Sequence, residues 1–167
     1  IDFEDLMIFA LHYGERESSV HNLTKDTYYN TIQAALDDAD TYNTIEVADG
    51  TYDESIIFPS AKVITLQSVS GTSSTTIRGN EDSYTVTFDG SIAATILKGF
   101  TITHSEGLAG SGIYIVNSNL TIHECTISGN TGITGAGIYN DGTLTITSST
   151  TIYGNTASSG GGIYIII

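Results

Sequence analysis

The sequence predicts an all-β chain wound as a parallel solenoid, and three columns of residues predict it. Gly-Ile-Tyr occurs at Gly112–Tyr114, Gly137–Tyr139 and Gly162–Tyr164, a step of 25 residues each time. Ile77, Ile102, Ile127 and Ile152 keep the same step, each after a threonine. Gly-Asn recurs at Gly79-Asn80, Gly129-Asn130 and Gly154-Asn155, with Ser105 interrupting the column. A fixed period of this length is the signature of stacked coils.

Within a period, three short runs alternate apolar and polar residues, as half-buried strands do. The clearest set is Ile113-Tyr114-Ile115, Leu120-Thr121-Ile122 and Cys125-Thr126-Ile127. Gly, Asn, Ser and Asp bound each run and supply turns. Three strands of four or five residues with their turns fill about 25 residues, and coils stack at a strand spacing of about 4.8 Å. Alternation assigns Phe88, Ile113, Ile138 and Ile163 to one interior column. Leu97, Ile122 and Ile146 form a second, with a one-residue slip in the last coil. Ile77, Ile102, Ile127 and Ile152 form the third. Asn130 and Asn155 are expected to stack as an amide ladder. Cys125 is the single cysteine, so no intrachain disulfide is possible; it is expected to be buried with Phe100 and Thr150.

Before the regular coils the chain reads differently. Residues 1–13 predict a short, nearly apolar helix with Asp2 as cap and Gly14 as stop. Residues 15–30 read as polar linker or irregular strand. His12 and His21, nine residues apart, have poor metal-site spacing. Thr31–Asp40 predicts a helix with Thr31 as N-cap and Ile32, Ala35, Leu36 and Ala39 on one face. A solenoid end exposes its cross-section and needs a cap, so one or both helices are expected to cover it. Strands follow at Thr44–Tyr52, Ser55–Phe58, Val63–Gln67 and Thr75–Arg78. The domain reading is therefore 1–30 as N-terminal helix and linker, and 31–167 as solenoid. The apolar "GIYIII" at the C-terminus implies coils continuing or stacking beyond residue 167, through which the molecule would self-associate head to tail.

The run from Gly99 to the C-terminus, with its Gly-Gly-Ile-Tyr and Thr-Ile-Ser-Gly-Asn units, resembles the right-handed parallel β-helix repeats of the pectin-lyase-like superfamily, bacterial surface proteins among them. Right-handed winding follows from that resemblance and from the general crossover preference. The segment Gly50-Thr51-Tyr52-Asp53-Glu54 resembles an early structural turn of secreted β-helix proteins such as pectin methylesterases. The resemblance implies a fold and an extracellular or cell-surface setting, not one activity. Residues 1–13 also resemble the second half of a dockerin or EF-hand calcium loop. That likeness puts Asp2 and Asp5 on late ligand positions, so calcium is the one cofactor implied, and none is required.

Charge narrows the partners. With 19 acids against five Lys and Arg, the net charge is −14. That disfavours nucleic acid and anionic membranes, and the chain has no apolar run long enough for a membrane helix. The sequons Asn22-Leu23-Thr24 and Asn119-Leu120-Thr121 permit N-glycosylation in a competent host. No catalytic constellation is recognisable. Acids after Asp89 look too scattered to face each other as glycoside hydrolysis requires, and Arg78 beside Glu81 and Asp82 reads as a solvated turn. The binding candidates are Tyr114, Tyr139 and Tyr164, expected to point outward one above another, beside a row of Thr101, Thr126 and Thr151. The functional expectation is a secreted or cell-surface structural or adhesive solenoid, with a carbohydrate-binding or carbohydrate-active β-helix as the alternative.

Overall fold

The computed structural model describes residues 19–80, 83–90, 94–104, 112–147 and 149–167, and they form a parallel β-solenoid with about 25 residues between stacked coils. The predicted helix over residues 1–13, with Asp2 and Asp5, lies outside the described residues.

Three stacks of strands make the walls. The first contains β5 (Ile56–Phe58), β8 (Val86–Asp89) and the leading parts of β11 (Ile113–His123) and β14 (Ile138–Thr147), then β17 (Ile163–Ile165). The second runs β3 (Asn43–Val47), β6 (Ile64–Ser68), β9 (Thr95–Lys98) and the trailing parts of β11 and β14. The third runs β4 (Gly50–Asp53), β7 (Thr75–Gly79), β10 (Thr101–His104), β12 (Thr126–Ser128) and β15 (Thr151–Tyr153). A short ladder of β13 (Thr131–Thr134) on β16 (Thr156–Ser159) closes the last two coils. Every neighbouring pair in these stacks is parallel.

Parallel, in-register pairing puts like on like. Tyr52, Ile77, Ile102, Ile127 and Ile152 form one interior column, and Ile45, Leu66, Leu97, Ile122 and Ile146 another. Ile77, Ile102 and Ile127 are fully buried, each contributing roughly 1.5–3 kcal/mol by leaving water. Along the first wall the register differs from expectation. Val86, not Phe88, lies under Ile113, and Phe88 lies under Ile115 on top of Phe58. The Phe58 and Phe88 rings stack with centroids 4.3 Å apart. The coil turns its corner after Ile77 two residues early and makes them up before Thr95. A two-residue slip keeps every side chain on its face, so alternation cannot detect it. The expected one-residue slip before Ile146 is real. Its source is a bulge in β11 between Val116 and Asn119, where Asn117 takes a φ of 47°.

The first end of the solenoid is capped. Helix α1 (Ile32–Asp38) buries Ile32, Ala35 and Leu36 on the core, and the Thr31 side chain accepts from the Ala34 N–H at 3.1 Å. Glu54, just past β4, accepts from the Ile32 and Gln33 N–H groups at 2.9 and 3.1 Å. It thereby satisfies two of the free donors of the first turn. So the Gly50–Glu54 segment supplies a core residue, Tyr52, and a clamp on the cap. Residues 20–29, expected as linker or irregular strand, form a hairpin instead. β1 (Val20–Asn22) pairs antiparallel with both β2 (Thr27–Tyr29) and β3. Asn22 and Asn43 meet inside it, Nδ2 to Oδ1, at 2.7 Å, so the sequon asparagine at position 22 is fully buried.

The Gly-Ile-Tyr and Gly-Asn columns belong to one corner. A Cβ on Gly112 would sit 2.8 Å from Asn130 Nδ2; one on Gly137 would sit 2.9 Å from Asn155 Nδ2 and 2.3 Å from the Gly162 carbonyl oxygen. The asparagine amides fill the space that glycine leaves. Asn155 Oδ1 accepts from Asn130 Nδ2 at 2.8 Å and from the Asn130 N–H at 3.0 Å, while Asn155 Nδ2 donates to the Ile127 carbonyl at 2.9 Å. Gly137→Ala must therefore displace backbone as well as an amide, and urea unfolding is expected to show a loss of about 1–3 kcal/mol. Asn155→Ala strips two donors of their acceptor and is expected to cost a similar amount, about 1–3 kcal/mol. Unchanged unfolding midpoints for both variants would contradict this account of the corner.

Candidate functional site

One exterior face gathers the side chains with chemistry to offer. Tyr114, Tyr139 and Tyr164 share an outward column of the first wall, half-buried, one per coil. Their rings stack, with centroids 4.9 Å apart for Tyr114–Tyr139 and 5.7 Å for Tyr139–Tyr164. A fourth ring that the period does not reveal extends the stack. Tyr84 lies 4.0 Å from Tyr114 at an interplanar angle of 6°. The strand position under Tyr114 belongs to Thr87, and Tyr84 reaches the ladder from just before β8. Its neighbours hold it there: Ser83 Oγ bonds Ser55 Oγ at 2.7 Å, and Thr85 Oγ1 donates to the Thr103 carbonyl at 3.1 Å.

Beside the rings runs a second outward column in which Asp89, Val116 and Asp141 occupy successive coils. Sequence separation hides this pair of acids, because they stand 52 positions apart rather than two periods of 25. With two strand steps of about 4.8 Å, their Cα atoms lie roughly 10 Å apart. Next to Asp141, the bulge in β11 opens a groove of about 280 Å³ lined by Asn117, Ser118, Asn119, Asp141, Gly142 and Thr143. The second sequon asparagine, Asn119, lies in this groove.

Burial pushes the Tyr114 and Tyr139 phenols above their ordinary value, and the charges of neighbouring tyrosinates and nearby acids, Asp141 among them, add to the rise. Ring faces inside the stack are covered by other rings. The ladder therefore offers hydroxyls and ring edges along its length rather than open ring faces.

The other candidates are structural in their surroundings. The threonine row is longer than expected: Thr51, Thr76, Thr101, Thr126 and Thr151 lie in register. Thr101 Oγ1 is engaged by the Thr72 carbonyl at 2.9 Å. Arg78 binds Asp53, one coil below, through two nitrogens at 2.5 and 2.9 Å; Glu81 and Asp82 are outside the described residues. His21 contacts Asp26 at 3.0 Å and stacks on Tyr28. Lys98 and His123 both face Glu124 Oε2, at 3.8 and 3.4 Å, the histidine without hydrogen-bond alignment. Cys125 is fully buried, and burial pushes its thiol up to about 11. Among the described residues no group of three His, Cys, Asp or Glu is placed to hold a metal ion, and no helix is long and apolar enough to cross a membrane.

No protein-family model matches this chain, and no curated protein or solved structure matches it.

Two outcomes follow from these environments. The Tyr114 and Tyr139 phenols have folded values above 10.0, so unfolded phenols ionise first as pH rises. Their contribution to stability is fully present below pH 10.0 and is lost as pH climbs through the raised values. A phenolate absorbance titration is expected to show late-ionising tyrosines that merge with the others in denaturant; Tyr114→Phe/Tyr139→Phe is expected to reduce their number by two, leaving the raised phenols of Tyr29 and Tyr52. Cys125 is expected to resist a thiol-specific chromogenic reagent in the native state and to react fully once unfolded. Rapid native labelling would mean that the corner around Cys125 opens readily.

Proposed function

We propose that this chain is a structural or adhesive module of a secreted or cell-surface protein. Its upper end would take up a further coil in register, which in solution can come from a second copy. The observation behind this is the difference between the two ends. Helix α1 and the β1–β2 hairpin cover the first. At the other, Ile146, Ile163 and Ile165 are 41%, 36% and 59% exposed, although the same columns are fully buried lower down. A strand edge backed by aliphatic columns is a template for strand addition. Right-handed winding belongs to this proposal and is supported by the general crossover preference. So does calcium near Asp2 and Asp5, on sequence resemblance alone.

Light scattering coupled to size exclusion tests the end. The expected result is association that grows with concentration and is lost in Ile163→Lys/Ile165→Lys. A wild-type chain that stays monomeric throughout would overturn self-association. A chelator that dissolves the assembly would support the calcium component, and indifference to chelation would remove it.

A second reading, polysaccharide binding, is favoured by Asp89 and Asp141 flanking one face beside the tyrosine ladder and the β11 groove. Hydroxyl-bearing edges and amides suit sugar hydroxyls, and the strongly acidic chain suits neutral rather than acidic glycans. Affinity electrophoresis is expected to show retardation in neutral polysaccharide gels that Asp141→Asn or Asn119→Ala weakens. Equal mobility with and without polysaccharide would end this reading.

A further inference from the structure

We propose that Tyr84 and Tyr114 are the site of an oxidative cross-link that staples two coils of the solenoid. Of the contacts in the ladder theirs is the tightest, 4.0 Å between centroids and 6° from parallel, against 4.9 and 5.7 Å further along. Coupling of phenoxyl radicals is limited by encounter of two short-lived species, and holding the partners together replaces that encounter with a local event. Tyr114 sits on β11, fixed by strand pairing on both sides. Tyr84 is held against it by the hydrogen bonds of its neighbours Ser83 and Thr85. The Tyr114–Tyr139 pair is wider and less parallel, 4.9 Å between centroids at 18°.

Electrostatics point to the same residue. Asp89 and Asp141 stand on either side of Val116, in the column next to Tyr114. Negative charge near a ring favours removal of an electron from it. Each phenol gives one electron to a one-electron oxidant and releases one proton. The two phenoxyl radicals join through their ortho carbons, and each ring's ortho hydrogen passes to its own oxygen, restoring two phenols. The product has lost two electrons and two protons. With a persulfate-driven ruthenium(III) oxidant, one persulfate is reduced to two sulfates per cross-link. The new bond closes the segment between residues 84 and 114 and restricts the unfolded chain more than the folded one.

The test is brief photo-oxidation of dilute protein with a ruthenium tris-bipyridyl complex and persulfate, followed by isolation of the monomer. The expected monomer shows dityrosine fluorescence, a mass lower by two hydrogens, a peptide joining Tyr84 to Tyr114, and a raised melting temperature. Tyr84→Phe is expected to lose the fluorescence, whereas Tyr153→Phe, which removes an exposed ring, keeps it. Wild-type protein oxidised in strong denaturant is expected to spread its cross-links over other tyrosines, which reads the geometry without any variant. A monomer without dityrosine, a linkage mapping to another pair, or an undiminished yield in Tyr84→Phe would overturn the proposal.

Discussion

Everything in this molecule depends on parallel strands bonding to their counterparts one coil away. That pairing fixes a repeat of about 4.8 Å and stacks each residue on its equivalent. Inside, the result is aliphatic columns whose members shield one another, which lets a chain with 40% hydrophobic residues build a continuous core from short strands. At the corners it permits the glycine–asparagine exchange: a residue without a side chain makes room for an amide that bonds up the stack. Outside, it converts a single tyrosine per repeat into a pile of rings. Each is the same rule applied in a different environment.

The same dependence makes the ends the weak points, and the chain treats the first end with care. Four of its five basic residues fall within the described part, and three of those tie down the early coils. Lys25 contacts Asp38 and Asp40 at 3.0 and 3.1 Å, Lys62 donates to the Ala39 carbonyl at the helix C-terminus, and Arg78 grips Asp53. Exposed pairs of this kind contribute little each. Together with the Glu54 clamp they hold the cap in one orientation on the first coil. Acids at Asp38 and Asp53 are held below the ordinary carboxylate value by Tyr29 with Lys25, and by Arg78, respectively. These ties are complete above that value and loosen as pH falls through the lowered ones. With so few bases already engaged, the rest of the surface remains acidic.

What was legible in the sequence was whatever repeats at a constant step. The isoleucine column from Ile77 to Ile152, the amide pair Asn130–Asn155 and the outward tyrosines all recur at 25 residues, so alternation placed them correctly. What was not legible is whatever compensates for a break in the step. Phe88 sits two positions from its expected partner, because a slip of two leaves in and out unchanged. Tyr84 joins the tyrosine ladder from off the strand, three residues before Thr87, which strand pairing puts under Tyr114. Asp89 and Asp141 share a column although 52 residues separate them, two more than two periods. The hairpin over residues 20–29 was hidden because it is antiparallel to the stack and shares none of its pattern.

The tyrosine ladder also shows how stacking limits what a repeated residue can do. A row of aromatic rings suggests a platform for sugar rings, but a platform needs open faces. At 4.0–5.7 Å between centroids the faces are occupied by one another. What remains along the stack is a line of edges and hydroxyls, bordered by two carboxylates and by the amides of the β11 groove. Such a surface can hydrogen-bond a ligand laid across the coils. It cannot sandwich a sugar between its rings. Any ligand of this face must therefore be held by polar groups from several coils at once, and its binding then depends on the register that the strand ladders impose.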